Sequence, residues 1–271
     1  MRNDPFFSGT PRKILDMDGV PMEFPILYYD VRHVAAMFPV AIRKLKELLP
    51  HPNFKPVEMW PGTGTLVISA YEYHDTSIDP YNELAISVLV RFPPATGLPG
   101  WDVFSMLRRH RYSVYIYQLP VTTEMARKGG VYFYNFPKFL ANVEFRDFED
   151  WLEVQLSEDG EIILNLRGRK QPLNKSVRME YHLYSINENV AMHSLVELYV
   201  PKFGMQMMGN AGEVELGDHR ISRQLAKLGL GKAISGQYAE GMMTKLYDPD
   251  RMWDVETLKE IEPSVALRIP A

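Results

Sequence analysis

Short runs of β-branched and aromatic residues recur along this chain, bounded by turn-forming residues, and no window approaches eighteen consecutive apolar residues. Thr65 to Tyr73, Ala85 to Phe92 and Tyr112 to Leu119 read as strands. Phe145 to Leu156 and Glu161 to Leu166 flank Glu158-Asp159-Gly160, a hairpin signal, and Val177 to Ser185 and Val190 to Val200 flank Asn187-Glu188-Asn189, a second one. Helical signals are fewer. Ala41 to Leu49 puts Ile42, Leu45, Leu48 and Leu49 at helical spacing, and Pro39 suits a first helical position. Thr122 to Lys128 is a short helix candidate that Gly129-Gly130 would end. Ile221, Leu225, Leu228 and Leu230 keep a helical period, so the last third of the chain reads as turning helical. Many meandering strands with few helices predict a barrel or a strongly curved sheet, and a barrel encloses a pocket.

Composition narrows what such a pocket can contain. Cysteine is absent, which excludes a disulfide framework and any thiolate metal site and fits a cytoplasmic location. The seven histidines are scattered and carry no metal-binding spacing. If the second hairpin turns on Asn187 and Glu188, His182 and His193 become cross-strand neighbours, read as strand histidines. The start, Met1 to Phe7, lacks the apolar core of a signal peptide. No membrane segment is expected, and a net charge of −4 argues against a general nucleic-acid binder. Arg108-Arg109-His110-Arg111 reads as a solvated turn or a subunit contact. Residues 1–20 carry Pro, Gly, Asp and Ser without a period and are expected to form a loosely held, flexible arm. No linker or repeat divides residues 21–271, which read as a single domain.

Chemistry is suggested by Tyr134-Asn135-Phe136-Pro137-Lys138-Phe139-Leu140-Ala141. A lysine in so apolar a segment either snorkels its charge into water or is held dry, and a dry amine tends to lose its proton. A neutral amine attacks carbonyl carbons to form Schiff bases. A second stretch, Tyr71 to Glu83, carries four carboxylates and His74, and reads either as an acid/base set or as a polar loop with turn-forming residues.

Together these stretches carry a resemblance. His74-Asp75-Thr76-Ser77, then Tyr81-Asn82-Glu83, then Phe136-Pro137-Lys138 is an order similar to that of the acetoacetate decarboxylase family. Leu48-Leu49-Pro50 and the stretch from Gly217-Asp218-His219 to Leu246-Tyr247-Asp248 extend the likeness over about residues 22 to 250. The resemblance implies an α+β, β-rich fold: meandering antiparallel sheets forming a closed cone or double β-barrel-like architecture with flanking helices and an internal pocket. It implies that Lys138 is the Schiff-base lysine and Glu83 an acid/base residue beside it, with no metal or organic cofactor and a homo-oligomeric assembly. Arg32 aligns near the family's carboxylate-reading arginine. The sequence also departs from the family pattern. Phe139 stands where the characterised decarboxylase has a second lysine, Phe136 where it has tyrosine, and Ser69 where it has a second pocket glutamate. Desolvation alone would then have to free the Lys138 amine. With Arg32, Ser69, Phe136 and Phe139 as substrate contacts, the expected substrate is a β-keto acid bulkier or more apolar than acetoacetate, decarboxylated through the imine. The same residues also suit an imine-dependent aldolase or dehydratase, or a non-catalytic barrel that binds an apolar carbonyl compound.

Overall fold

A computed structural model describes residues 1–94, 98–207 and 209–262, and in it the β-rich runs close on themselves. In chain order the elements are β1 (Lys13–Met17), β2 (Val20–Phe24), β3 (Ile26–Ala41), α1 (Ile42–Leu45), β4 (Lys55–Pro56), β5 (Thr63–Thr76), β6 (Tyr81–Arg91), α2 (Trp101–Arg109), β7 (Arg111–Gln118) and α3 (Glu124–Tyr134). They continue with β8 (Asn142–Asp147), β9 (Trp151–Glu158), β10 (Glu161–Arg169), β11 (Lys175–Asn187), β12 (Val190–Met207), β13 (Gly212–Leu216), α4 (Arg220–Leu228), β14 (Ser235–Leu246), β15 (Arg251–Asp254) and β16 (Glu260–Ile261).

Seven of these strands form a closed barrel in the order β7, β6, β5, β3, β14, β12, β11, and β11 returns to pair with β7. That last pairing is parallel, whereas every other pairing around the barrel is antiparallel. A parallel partner needs a long crossover, supplied here by α3 and β8 to β10. The β8, β9, β10 and β13 strands make a separate four-stranded sheet.

Side-chain alternation divides the interior into two cores. One face of β3, β5 and β6 presents Val34, Phe38, Leu66, Ile68, Leu84 and Ile86, which pack with Leu152, Val154, Leu156 and Leu166 of the small sheet. The other face turns Val67, Ala85, Val114, Ile116, Leu198 and Met242 into the barrel. Because β5 and β6 are covered on both faces, they read as continuous apolar runs.

Several elements differ from the sequence expectation. Pro39 lies in β3, whose pairing with β14 ends at Met37 while pairing with β5 continues to Ala41; the missing N–H therefore falls where one side of the strand is free. Helix α3 runs through Gly129 and Gly130 and ends five residues later at Asn135, in the left-handed region. The run from Phe145 to Leu156 is two strands, β8 and β9, joined by a turn. Among the described residues of the last third only α4 is helical, capped by the His219 side chain and a left-handed Gly229; β14 then runs as a strand between β3 and β12. Within residues 1–20, Phe6 and Met17 are buried, and Arg2 pairs with Asp75 at 2.7 Å. The second hairpin turns on Glu188 and Asn189, which sets Tyr184 opposite His193 and leaves His182 diagonal to it, with Nδ1 2.9 Å from His193 Nε2. The basic run closes α2 and opens β7, where Arg111 pairs with Glu180 at 2.7 Å. No helix among the described residues is long and apolar enough to cross a membrane.

Candidate active site

Strand alternation on β6 turns Tyr81, Glu83, Ala85 and Ser87 to the same side. The segment carrying Lys138 meets Glu83 from outside the seven strands. Leu119 donates its backbone N–H to the Pro137 carbonyl, Val121 to that of Phe139, and Ala141 to that of Val121, so residues 137–141 run beside 119–121 as a short extended pair. In such a segment Phe136 and Lys138 share one side and Phe139 takes the other.

Lys138 Nζ lies 2.7 Å from Glu83 Oε2, and the two side chains are 6% and 9% exposed. Tyr73 donates its hydroxyl to Glu83 Oε1 at 3.1 Å, which leaves Oε2 to the amine. The Lys138 amine also stands 5.6 Å from the centre of the Tyr81 ring. Burial, followed by the charge of Glu83, pushes the Tyr73 and Tyr81 phenols well above their ordinary values, so both stay protonated as donors at neutral pH. The pair opens into a cavity of about 80 Å³ whose walls include Tyr28, Leu119, Phe136 and Leu246. An isolated dry amine is therefore not what the structure shows. The nitrogen instead faces a carboxylate oxygen within hydrogen-bond reach, a group able to take or return a proton there.

The stem of Lys138 rests on α3. A Cβ built on Gly130 would stand 2.5 Å from Lys138 Cε, so the glycine that ought to stop the helix instead makes room for the lysine.

Residues 11–254 match the sequence profile of acetoacetate decarboxylase. The chain belongs to the acetoacetate decarboxylase family. A structure reported under "Structural Studies of Acetoacetate Decarboxylase" superposes on it with a TM-score of 0.58 at 13% identity, covering 88% of this chain and 89% of the other. An acetoacetate decarboxylase from Legionella pneumophila subsp. pneumophila str. Philadelphia 1 gives 0.58 at 15% identity, covering 83% and 86%. The enduracididine biosynthesis enzyme MppR, complexed with the condensation product of pyruvate and imidazole 4-carboxaldehyde, gives 0.55 at 12% identity, covering 83% and 88%. At these identities the likeness is one of fold. A comparison with curated proteins gives no match.

In this acetoacetate decarboxylase family member the residues singled out from sequence separate into three places. Lys138, Glu83 and Phe136 line one cavity. Ser69 lines a neighbouring cavity with Ala85 and Tyr71. Arg32 and Phe139 line neither. Arg32 sits between the inward-facing Val31 and His33, so its side chain leaves the barrel and pairs with Glu72, at 2.7 Å, and with Asp147. Phe139 packs against the other core, opposite Lys138. Single-residue inspection missed Tyr73, Gly130 and Thr244. Thr244 lines the Lys138 cavity with an Oγ1 that has no hydrogen-bond partner among the described residues. Alternation held the one usable signal, since Tyr71 and Tyr73 must share a face from which Glu72 is excluded.

His33 lies against Tyr71, ring centres 4.7 Å apart and planes tilted by 30°; its Nε2 has no partner among the described residues, and burial lowers its pKa from 6.5 to about 4. The unfolded chain binds this proton more readily than the fold. The stability His33 contributes is complete above pH 6.5 and is lost as pH falls through about 4. Urea unfolding of wild type should therefore lose on the order of 3 kcal/mol more than His33→Leu between those limits. Equal losses in the two proteins would contradict a neutral buried imidazole.

Proposed function

We propose that this protein is a Schiff-base-forming carbon–carbon lyase that decarboxylates a β-keto acid through an imine on Lys138. The supporting observation is the buried Lys138–Glu83 pair at 2.7 Å, an amine with its own proton acceptor at the edge of an apolar cavity. Glu83 Oε2 takes a proton from the ammonium, and the free nitrogen attacks the ketone carbon. A proton passes from that nitrogen to the former carbonyl oxygen. Protonated Glu83 then returns its proton to the hydroxyl, and water leaves. An iminium cation remains, and Glu83 is a carboxylate again. The carbon–carboxylate bond breaks, its electron pair flows to the iminium as an enamine, and carbon dioxide departs. Protonation of the enamine carbon and hydrolysis of the imine release the ketone and restore the ammonium.

Electrostatics support this direction. A substrate carboxylate bound here lies in apolar surroundings near the Glu83 charge, and loss of carbon dioxide removes that unfavourable anion. The apolar walls also suit a substrate bulkier than acetoacetate. Borohydride added with a β-diketone or a β-keto acid should reduce the imine and add the ligand's mass to Lys138, read by peptide mass spectrometry. An unmodified Lys138 across a broad carbonyl panel overturns this reading.

One observation favours a second reaction of the same imine. Lys138 is the only cation lining the cavity among the described residues, so a substrate carboxylate has no separate cationic partner. A neutral ketone entering aldol condensation or dehydration fits that lining equally well. Proton NMR separates the two, because decarboxylation releases a shortened ketone and condensation forms a new carbon–carbon bond.

A further inference from the structure

The barrel holds two cavities in series. The first, about 80 Å³, contains Lys138 and Glu83, and the second is about 60 Å³. Tyr71, Ala85, Ile116, Tyr181 and Leu183 line both and form the neck between them. Register fixes the direction of this passage: Tyr71 pairs with Glu83, Ser69 with Ala85 and Val67 with Ser87, three successive inward pairs on β5 and β6. Ser87 lies four positions along the strand from Glu83, which is about 13 Å at roughly 3.3 Å per residue.

The two cavities differ in chemistry. Met37, Val67, Leu89 and Val114 make much of the second wall, and no charged residue among the described ones lines it. Ser69, Ser87 and Gln237 lie among them, and all three are buried. They bring two hydroxyls and one amide to an otherwise apolar wall. Buried polar groups are as a rule hydrogen-bonded, so three of them lining one apolar cavity point to an occupant with a polar atom of its own.

We infer that the second cavity binds the far end of the substrate: an apolar chain that starts at the carbonyl on Lys138, passes Tyr71, and ends in an uncharged oxygen, hydroxyl or carbonyl, held by Ser69, Ser87 and Gln237. This rests on the imine reading above. An ionised terminus is disfavoured because no charged residue among the described ones lines that end.

Borohydride trapping on the intact protein tests it with straight-chain methyl ketones of increasing length, each with and without a terminal hydroxyl. The half-saturating ketone concentration should fall about fourfold for each added methylene until the passage is full. Beyond that length the hydroxyl-terminated ketone should bind better than its plain homologue. Ser87→Phe, which fills the second cavity, should lower the preference for long over short ketones by roughly tenfold or more, the worth of two methylenes. Gln237→Leu keeps the volume and should remove the hydroxyl preference while keeping the length dependence. If Ser87→Phe does not fold, the length series on wild type and Gln237→Leu still decide. Short ketones trapped normally without any length dependence overturn the second subsite and leave the imine reading standing. Trapping that requires two short carbonyl compounds together overturns the single-chain occupant. No trapping with any ketone overturns the imine reading and this inference with it.

Discussion

Lys138→Met is expected to abolish both borohydride trapping and turnover in a protein that still folds. Methionine has a similar length and adaptable shape, so the apolar path of the stem remains filled. Only the nitrogen is lost, and the nitrogen is the atom that forms the bond. Activity should therefore fall below detection rather than by a modest factor. Stability responds separately. The change leaves Glu83 in the barrel without its ammonium, and breaking a buried pair from one side costs about 3–5 kcal/mol. Adding Glu83→Gln removes the stranded charge, so the double variant should recover most of the lost urea midpoint while remaining inactive. Glu83→Gln alone keeps the amine but not its proton acceptor, and imine formation should slow by about 10²–10⁴-fold. A Lys138→Met protein that turns over substrate at the native rate places the nucleophile elsewhere. A wild type that binds ketones without turning them over, and a Lys138→Met variant that binds them equally well, describe a carrier.

The barrel was legible because its strands carry their own signals. Thr65 to Tyr73 and Ala85 to Phe92 are rich in β-formers, and both became barrel strands. Strand β14 was not legible. Its core, Gly236-Gln237-Tyr238-Ala239-Glu240-Gly241, has weak local preference, and pairing with β3 and β12 overrides it. The glycines of α3 misled for a related reason. Gly129-Gly130 is a local stop signal, but Gly130 answers to a side chain eight residues away that local rules do not see. At the site, it was the resemblance of the order His74 to Ser77, Tyr81 to Glu83 and Phe136 to Lys138 to the acetoacetate decarboxylase family that brought Lys138 and Glu83 together as candidates. Their mutual clamp was not readable, because it depends on how residues 137–141 lie against 119–121. Arg32 shows the same limit. Its place in the strand is plain, yet only the fold turns it away from the barrel and gives it Glu72 and Asp147 as partners.

Gly130→Ala separates fold from site most sharply, because two simple rules disagree about it. Gly130 lies inside α3, where alanine is worth about 1 kcal/mol over glycine, so helix preference alone predicts a more stable protein. Packing predicts the opposite for the site. The new methyl would stand 2.5 Å from Lys138 Cε and 3.2 Å from Cγ, whereas carbon atoms sit comfortably at about 3.5–4.0 Å. The lysine stem is flexible and can swing aside, so the fold survives, and the ammonium stays in the cavity, so the loss of stability should be smaller than for Lys138→Met. The amine cannot swing aside without leaving Glu83, and a displacement of about 1 Å in a reacting group costs on the order of 10²-fold in rate. We expect kcat and the trapping rate at Lys138 to fall about a hundredfold or more, with a smaller loss of melting temperature than Lys138→Met shows. Gly129→Ala is the control, since its methyl would meet only the mobile end of Met22 at 3.1 Å. That variant should keep native trapping. If Gly130→Ala also traps ketones at the native rate, the lysine stem does not depend on that gap in α3, and the placement of the amine against Glu83 has another cause.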